Sequence, residues 1–414
     1  MASSIAVVGG GAIGLATAYY LAKEGHDVVV VEARRIGSGA SWGNAGWLVP
    51  SLAGPVPAKG LAAYTLRSLG KPDSPVYLRP RLTPALVSWA WHFWRNCNDA
   101  DHYRGLHETA RLGSNTHDLF DQLKADGVEF QMWKDGLLFV SLDAAGAEAE
   151  LEYLQPLGEY GYDLPGDILR GDALRAEEPF LSNGVGGGFV IGEERHVVPA
   201  SLTRGLADAV ERLGGRVLEG AEVTAIDRRG RRVGALHTTA GLLDADQVIL
   251  AAGAWTTPLA RLLGARIPMQ AGKGYSFSIK PDLMPRRPIY LGDAKVGVTP
   301  MGDRVRFAGT MEISGIDLGL NPRRIRAIVA GSRRFVADWP SQALQEPWAG
   351  LRPMAPDGQP IIGRVPGFDN AFVSTGHAML GVTLAPSSGL ALAELVATGT
   401  APGVLRPFDP ARFG

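Results

Sequence analysis

The sequence predicts an α/β fold, α+β in its overall composition, in which a parallel sheet at the N-terminus is joined by a mainly antiparallel sheet further on. Two observations predict it. The first three dozen residues run strand, helix, strand, which is the order of a parallel βαβ unit. The segment from about Pro258 to Trp339 instead alternates apolar and polar residues in the manner of strands.

The N-terminal unit consists of three consecutive segments. The β-branched residues of Ile5–Val8 and Asp27–Val31 predict two strands. Between them, Ala12–Glu24 is rich in Ala, Leu and Tyr and predicts a helix, which Gly25 ends because glycine tolerates the left-handed conformation of a helix C-terminus.

Further elements are predicted along the rest of the chain. The apolar periodicity favours helices at Pro84–Cys97, His107–Asp126, Pro199–Gly214 and Leu384–Thr398. Short apolar or alternating runs favour strands at Gly136–Ser141, Arg216–Leu218, Glu222–Asp227, Val233–Thr238, Gln247–Ala251, Lys273–Lys280, Val296–Thr299, Val305–Thr310, Ile361–Gly363 and Ala371–Ser374.

The composition excludes several classes of protein. A net charge of -1 over 414 residues provides no field that would attract nucleic acid. The single cysteine, Cys97, cannot form an intrachain disulfide, and the 8 histidines form no H-x-x-x-H pair, so no metal site is expected. No apolar run reaches the ~18 residues of a membrane span. We expect no signal peptide, because the first residues lack a basic region and run directly into a Gly-rich turn. We expect a cytoplasmic protein, with peripheral contact at the inner face of the membrane as an alternative.

A glycine-rich motif joins the first strand to the first helix. Gly9, Gly11 and Gly14 form G-x-G-x-x-G, in which the glycines allow a tight turn, close approach to a pyrophosphate and close packing of helix on strand. The free N–H groups of the helix then face the phosphates. Glu32 ends the second strand, 18 residues after Gly14, where a carboxylate can accept hydrogen bonds from a ribose and would repel a 2′-phosphate. The motif predicts a dinucleotide and disfavours NADP.

The loop after Glu32 favours FAD over NAD. Its residues from Ser38 to Gly46, SGASWGNAG, are small and rich in hydrogen-bond donors, and they follow a short basic turn at Arg34 and Arg35. Such a loop can wrap a diphosphate and reach a flavin, whereas NAD enzymes normally continue into another helix.

Three stretches carry a resemblance to a known family. VVGGGAIGLATAYYLAKEGHDVVVVEA, GASWGNAGWLVPS and GLRPMAPDGQPIIGRVPGFDNAFVSTGHAMLGVTLAPSSG resemble the D-amino acid oxidase and dehydrogenase superfamily, above all the D-amino acid dehydrogenase small-subunit type, with glycine and sarcosine oxidases as relatives. The resemblance implies FAD in a Rossmann-type domain made of residues 1–50, 191–257 and 340–414. It also implies a mainly antiparallel substrate domain made of residues 51–190 and 258–339.

The motif and the resemblance together predict the cofactor-binding residues. These are Gly9, Gly11, Ala12, Ile13, Gly14, Glu32, Ala33, Arg34, Ser41, Asn44, Ala45, Gly46, Val223, Ala252, Gly253, Trp255, Gly376, His377, Leu380, Gly381, Val382 and Thr383. His377 is also interpreted as a spacer within the backbone run 376–383. Relatives that link flavin through cysteine carry that cysteine in the C-terminal half, so FAD is expected to be noncovalent here.

Three residues are candidates for catalysis. Arg352 is expected to bind a substrate carboxylate, because a guanidinium fork matches a carboxylate and stays charged when desolvated. Tyr275 is expected to donate to the same carboxylate or to shape the pocket wall, with simple packing on a strand as the alternative. Lys273 is a candidate for holding a water near the flavin.

The resemblance implies oxidation of a D-amino acid or small secondary amine by hydride transfer to flavin N5, giving an imine that hydrolyses to a 2-oxo acid and ammonia. A glycine or sarcosine type of amine oxidase, a 2-hydroxy acid oxidoreductase and an electron-carrying subunit of a hetero-oligomer stay open. Oxygen or a quinone would accept the electrons. The aromatic run from Leu86 to Trp94 is interpreted as a buried helix, or as a patch that touches a membrane or redox partner.

Overall fold

The computed structural model describes residues 3–61, 76–78, 83–341 and 343–413. In these ranges the strands form a six-stranded sheet (the first sheet), an eight-stranded sheet (the second sheet) and two small three-stranded sheets. Residues 62–75, which fall in a segment predicted for the substrate domain, lie outside the described residues.

The first sheet contains the predicted N-terminal unit. Its strands, in spatial order, are Ile361–Arg364, Ala371–Thr375, Gln247–Leu250, Ser4–Val8, Asp27–Val31 and Arg216–Leu218. All neighbours pair in parallel except the first two, which are antiparallel. The predicted α/β class is confirmed.

The two faces of the first sheet bury alternate residues. Ile5 and Val7 pack against the helices on one face, whereas Ala6 and Val8 pack against a small antiparallel sheet on the other. Both faces are therefore covered, which explains why the strands are apolar throughout.

Helices cover one face of the first sheet and support the second. The α-helices are Ala12–Lys23, Pro84–Arg95, Asp99–Gly113, Thr116–Ala125, Ala144–Leu154, Gly171–Glu177, Pro199–Arg212, Thr256–Leu262, Pro322–Ser332 and Ala385–Thr398. Short 3-10 segments are Pro50–Leu52, Gln155–Tyr160, Gly253–Trp255, Gly403–Phe408 and Pro410–Phe413.

The second sheet is mainly antiparallel. Its path runs through Gln345–Met354, Gln270–Ile279, Arg304–Ile313, Val296–Met301, Ile289–Leu291, Leu137–Ser141 and Gly187–Ile191, and Val76–Leu78 pairs with the third of these. The small sheets are Val223–Arg229, Arg232–Thr238 and Gly241–Leu243, and Trp47–Leu48, Arg195–Val197 and Met132–Trp133.

Several boundaries differ from the sequence prediction. The helix expected at His107–Asp126 is two helices that meet at Ser114 and Asn115. The helices Thr256–Leu262 and Pro322–Ser332 interrupt the region predicted to alternate as strands. They were missed because 7- and 11-residue helices give little periodic signal.

Arg352 lies on the strand Gln345–Met354. Gln345–Met354 pairs with Gln270–Ile279 over almost its full length, so it belongs to the second sheet. The segment beginning at residue 340 was predicted for the FAD domain, but its first strand belongs to the second sheet. The division into two domains itself stays a prediction.

The helix Pro84–Arg95 is only partly buried. The Trp89 indole N–H donates to the Met354 carbonyl at 2.9 Å, whereas Trp91 and Trp94 are each 55% exposed and their rings lie 5.1 Å apart. The interpretation as a buried helix is wrong for this outer face. Contact with a membrane or redox partner stays a prediction.

Among the described residues no single helix is long and apolar enough to cross a membrane. Ala385–Thr398 and Gly403–Phe413 meet the length and composition only as a pair bent by 103°.

The packing of Ala385–Thr398 on the first helix yields a prediction. A Cβ at Gly389 would lie 2.8 Å from the backbone of Ala16, so Gly389→Val should separate the helices. We expect overpacking to lower the free energy of unfolding by about 1–3 kcal/mol, measured by urea denaturation. The control is Ala397→Val, at an exposed position of the same helix. Equal midpoints for the two variants would contradict this account of the helix contact.

Candidate active site

A cavity of about 1610 Å³ is lined by the carboxyl ends of first-sheet strands and by one face of the second sheet. Ordinary small-molecule pockets span about 300–1,000 Å³. The volume is therefore sufficient for a dinucleotide together with a small substrate. Its position beyond the carboxyl ends of parallel strands is where α/β sheets bind ligands.

The glycine motif forms the cavity's first wall. Gly9 has a φ of +117°, and a Cβ at Gly14 would lie 2.0 Å from the Gly9 carbonyl oxygen, so both positions require glycine. At Gly11 a Cβ would meet only the Ser41 hydroxyl, at 3.4 Å. The space in front of Gly11 is thus open to the cavity, as close approach of a pyrophosphate demands.

Glu32 is fixed at the cavity wall by backbone donors. Its carboxylate accepts hydrogen bonds from the N–H groups of Gly10 at 2.8 Å and Arg34 at 2.9 Å. Arg34 in turn lies over the Trp255 ring, 5.1 Å from its centroid. A fixed carboxylate beside the glycine turn fits the ribose of a dinucleotide.

The loop Ser38–Gly46 connects the two sheets across the cavity. The Ser41 hydroxyl accepts from the Ala12 N–H at the start of the first helix, at 3.1 Å. On the other side the second sheet donates to loop carbonyls: Ser276 to Gly43 at 2.6 Å and Thr299 to Ala45 at 2.8 Å. The loop is therefore held by the first helix on one side and by the second sheet on the other.

Asn44 stabilises this loop from within. Its amide donates to the Ala40 carbonyl at 2.9 Å and its side-chain oxygen accepts from the Gly46 N–H at 2.7 Å. A Cβ at Gly46 would lie 2.2 Å from the Val197 carbonyl oxygen, which explains the glycine. The side-chain amide of Asn44 thus shapes the wall through hydrogen bonds to the backbone of its own loop.

Most of the residues predicted to bind the cofactor line this cavity. They are Gly9, Gly11, Ala12, Ile13, Glu32, Ala33, Arg34, Ser41, Asn44, Ala45, Gly46, Val223, Ala252, Gly253, Trp255, His377, Leu380, Gly381 and Val382. Their direct contact with the cofactor stays a prediction.

Three predicted cofactor residues lie behind the wall. Gly14 packs against Gly9, and Gly376 turns the chain with a φ of 78° beside Ile361. The buried Thr383 hydroxyl donates to the Trp47 carbonyl at 3.0 Å and accepts from the Val49 N–H at 3.2 Å. These residues shape the wall without reaching the cavity.

The floor of the cavity is a row of small residues in four adjacent strands. Gly350 pairs with Gly274, and Gly297 pairs with Ala308, which lies opposite Ser276, two residues beyond Gly274. All four small residues line the cavity. Large side chains occupy the space that a Cβ would fill at two of these glycines. The Trp348 ring lies over Gly350, and the Trp47 ring lies over Gly297. The sequence showed these glycines only as isolated residues within strands.

Arg352 lies on this floor as a partly buried cation. Its guanidinium occupies the space above Gly274, where a Cβ would meet it at 2.2 Å, and donates to the Thr310 carbonyl at 2.9 Å. Thr310 has a φ of +58°, which strains a β-branched residue. In the part of the chain that the structure describes, Arg352 has no salt-bridge partner. Desolvation lowers its pKa to about 10, so it stays charged at neutral pH.

Lys273 and Tyr275 face away from the cavity, which corrects their predicted catalytic roles. They alternate with Gly274 on the same strand, so their side chains lie on the opposite face of the sheet. The Tyr275 ring packs in the core, and its hydroxyl donates to Glu312 at 2.8 Å. The Lys273 ammonium lies 3.3 Å from Glu312 and 3.0 Å from Asp317. Tyr275 borders the cavity without offering its hydroxyl, and Lys273 does not line it.

The buried pair of Lys273 and Glu312 holds the rim of the cavity. Burial alone would raise the pKa of Glu312, but the Tyr275 hydroxyl and the Lys273 ammonium lower it, so the carboxylate is ionised. Lys273 also donates to the Gly319 carbonyl at 3.1 Å. It thereby fixes the loop whose Ile316 side chain lines the cavity.

His377 is buried and lines the cavity. Its Nε2 lies 2.9 Å from the Ser388 hydroxyl, and desolvation lowers its pKa to about 3, so the ring is neutral at physiological pH. Among the described residues its Nδ1 has no hydrogen-bond partner. The imidazole is therefore neutral, with one nitrogen hydrogen-bonded and the other buried without a partner among the described residues. The interpretation of His377 as a spacer stays a prediction.

Sequence reasoning missed the part of the cavity beyond the floor. Trp47, Tyr290 and Lys295 line it, and the Trp47 and Tyr290 rings meet edge to face at 6.0 Å. Lys295 has a φ of 52°, a conformation that no sequence pattern reveals. A glycine two residues after Lys295, in KVGV, was the available signal of a close approach. No cluster of His, Cys, Asp or Glu able to hold a metal is found in the described ranges.

The parallel sheet, its glycine turn and the long cavity define a dinucleotide-binding protein with a substrate chamber. The chain belongs to the FAD dependent oxidoreductase (DAO) family, whose model matches residues 4–395. The resemblance stated from the sequence is confirmed, and FAD is the cofactor. The residues that line the cavity fit it, because the wall offers open backbone at Gly11 and a fixed carboxylate at Glu32.

Similar proteins support this assignment over nearly the whole chain. The D-amino acid dehydrogenase of Paramagnetospirillum magneticum is 32% identical over 400 residues, covering 95% of this chain and 94% of that protein. The one from Methylobacterium nodulans is 33% identical, covering 97% and 96%. Among solved structures, glycine oxidase from Bacillus cereus has a TM-score of 0.75 at 23% identity and covers 97% of both chains. L-Proline dehydrogenase from P. horikoshii has a TM-score of 0.74 at 19% identity, covering 100% and 98%.

The buried ion pair behind the rim yields a prediction. Lys273→Met leaves the Glu312 carboxylate buried without its cation, which typically costs about 3–5 kcal/mol. We expect a corresponding drop in the free energy of unfolding, measured by urea denaturation. In the control Lys280→Met, the lost partner is the exposed Asp303, and the change should stay below about 1 kcal/mol. Similar losses for both variants would show that the Lys273 cluster adds no special stability.

The buried histidine yields a prediction about acid stability. The folded pKa of His377, about 3, lies below the ordinary value of 6.5, so the unfolded chain takes up the proton first. Stability is therefore complete above pH 6.5 and falls at lower pH, by roughly 1.4 kcal/mol per pH unit for this histidine. His377→Gln should flatten the fall between pH 6.5 and 5, measured by urea denaturation. Parallel curves for wild type and His377→Gln would contradict it.

Proposed function

We propose that this protein catalyses the FAD-dependent oxidative deamination of a D-amino acid or small secondary amine. The observation that carries the proposal is Arg352, a charged guanidinium facing the cavity that has no salt-bridge partner among the described residues. The dehydrogenase relatives support the choice of a D-amino acid.

Arg352 would bind the carboxylate of the substrate. A guanidinium binds a carboxylate through two parallel hydrogen bonds, which orient the α-carbon as well as hold it. The Thr310 carbonyl already fixes the guanidinium at 2.9 Å. Because the guanidinium is already held in place, little conformational entropy is lost when the substrate binds, and this favours affinity.

The chain has to orient the substrate and exclude water, since the redox chemistry is the cofactor's. When bound, FAD supplies the acceptor for the hydride that leaves the α-carbon. The amine must be neutral for its lone pair to assist, and the resulting imine hydrolyses to a 2-oxo acid and ammonia. Lys273 takes no part in this proposal, because its ammonium is held by Glu312 and Asp317.

The proposal extends to the acceptor and the setting. Oxygen or a quinone receives the electrons, FAD is held noncovalently, and the enzyme works in the cytoplasm or at the inner face of the membrane. The single cysteine, Cys97, lies on the turn after the helix Pro84–Arg95 and does not line the cavity, which supports noncovalent attachment.

An anaerobic visible spectrum tests the proposal. Oxidised flavin bands of the purified holoenzyme should bleach with a D-amino acid and not with its L-enantiomer, and readmitted air then separates an oxidase from a dehydrogenase. Bleaching by 2-hydroxy acids alone would replace the amine by an alcohol substrate. Bands that no amine or hydroxy acid bleaches would favour an electron-carrying subunit.

The floor of the cavity yields a prediction for substrate binding. Arg352→Met should weaken D-amino acid binding by at least about 10-fold, since it removes a charged hydrogen bond worth about 1.5–3 kcal/mol. Gly274→Ala should do the same without altering the arginine, because its Cβ would occupy the guanidinium's position. The measurement is the substrate concentration for half-maximal anaerobic reduction, with flavin content as the control for folding. Unchanged binding in Arg352→Met would remove Arg352 from the site.

A further inference from the structure

We propose that the preferred substrate is an acidic D-amino acid, whose side-chain carboxylate binds Lys295 while its α-carboxylate binds Arg352. The inference rests on the proposed function and names its substrate class. It assigns Lys295 as a specificity-determining residue.

Lys295 presents an ammonium group to the same cavity as Arg352. It lines the cavity, and its Nζ lies 5.5 Å from the centroid of the Tyr290 ring. In the part of the chain that the structure describes, Lys295 forms no salt bridge, unlike Lys273 and Lys280. The cation is therefore available to an anionic ligand group.

The charge on Lys295 is secure. Burial alone would lower its pKa, but Tyr290 and the nearby carboxylates of Glu150 and Asp293 outweigh it and raise the pKa. The backbone at Lys295 is held in the left-handed region, with a φ of 52°. Strain of this kind persists where the surrounding structure enforces it, and it is frequent at binding sites.

The two cations occupy different places along one cavity. The Arg352 guanidinium lies above Gly274, and Lys295 directly precedes Val296–Met301, two strands further along the second sheet. Two strand spacings amount to about 10 Å between the backbones. A ligand that meets both cations therefore carries two anionic groups joined by a short chain, as an acidic amino acid does.

Two acidic residues on the same wall offer the competing arrangement. Glu150 and Asp293 also line the cavity, so they could favour a basic side chain. Both raise the pKa of Lys295, but among the described residues neither forms an ion pair with it. A ligand carboxylate can therefore form the ion pair that Glu150 and Asp293 do not.

The test compares binding of D-glutamate and D-alanine in anaerobic flavin reduction by the holoenzyme. Lys295→Met should weaken half-maximal reduction by D-glutamate at least about 10-fold and leave that by D-alanine within about twofold. Lys280→Met, the same substitution outside the cavity, should change neither. Flavin content and the circular dichroism spectrum establish that each variant folds.

A second measurement does not depend on turnover. Glutarate and propionate are titrated against the oxidised holoenzyme, and perturbation of the flavin spectrum reports binding. Glutarate should bind more tightly than propionate to wild type, and Lys295→Met should abolish the difference. If no D-amino acid reduces the flavin while glutarate binding still depends on Lys295, the proposed function fails and the second anion site stands.

Other outcomes overturn the inference alone. If D-alanine reduces the flavin but Lys295→Met weakens the binding of D-alanine and D-glutamate equally, Lys295 does not bind the substrate side chain. Tighter binding of D-lysine than of D-glutamate would assign selectivity to Glu150 and Asp293. Equal binding of glutarate and propionate to wild type would show that the cavity has one anion site.

Discussion

The whole site depends on the loop Ser38–Gly46, which is hydrogen-bonded at once to the first helix, beside the glycine turn, and to the second sheet. Ser41 accepts from the first helix, whereas Gly43 and Ala45 accept from Ser276 and Thr299 of the second sheet. A cavity built between two sheets needs such a connection, because neither sheet alone determines the width of the gap. The loop places the glycine turn and the Arg352 floor at a fixed distance, and the internal bonds of Asn44 give it a defined shape.

Much of this could be predicted from the sequence, for identifiable physical reasons. The turn at Gly9 and Gly14 permits no side chain, so the motif reports a geometry directly. Arg352 was identified through a resemblance and proves to be a cation without a carboxylate partner among the described residues, although its place on a long strand was not foreseen. The parallel order of the first sheet follows from the βαβ pattern and its continuously apolar strands.

The rest could not be predicted, because it depends on contacts between distant segments. Lys273 and Tyr275 were assigned to the site for the chemistry of their side chains, yet the two-residue period of a strand places them on the face opposite Gly274. That period was available, but which face would be covered by the helix Pro322–Ser332 was not. Thr310 and Lys295 adopt positive φ values that residues of their type rarely show, so no local pattern announces them.

The glycines of the floor have a consequence for how such a site can change over evolution or by design. Two large side chains there occupy spaces left empty by glycines that are remote in sequence: Arg352 lies above Gly274, and Trp47 lies above Gly297. An arginine transferred alone to the equivalent strand of another scaffold would find its place filled by a β-carbon. The large residue and the glycine beneath it must therefore be retained or transferred together. A single methyl group added to the floor would reposition the cation as effectively as replacing it.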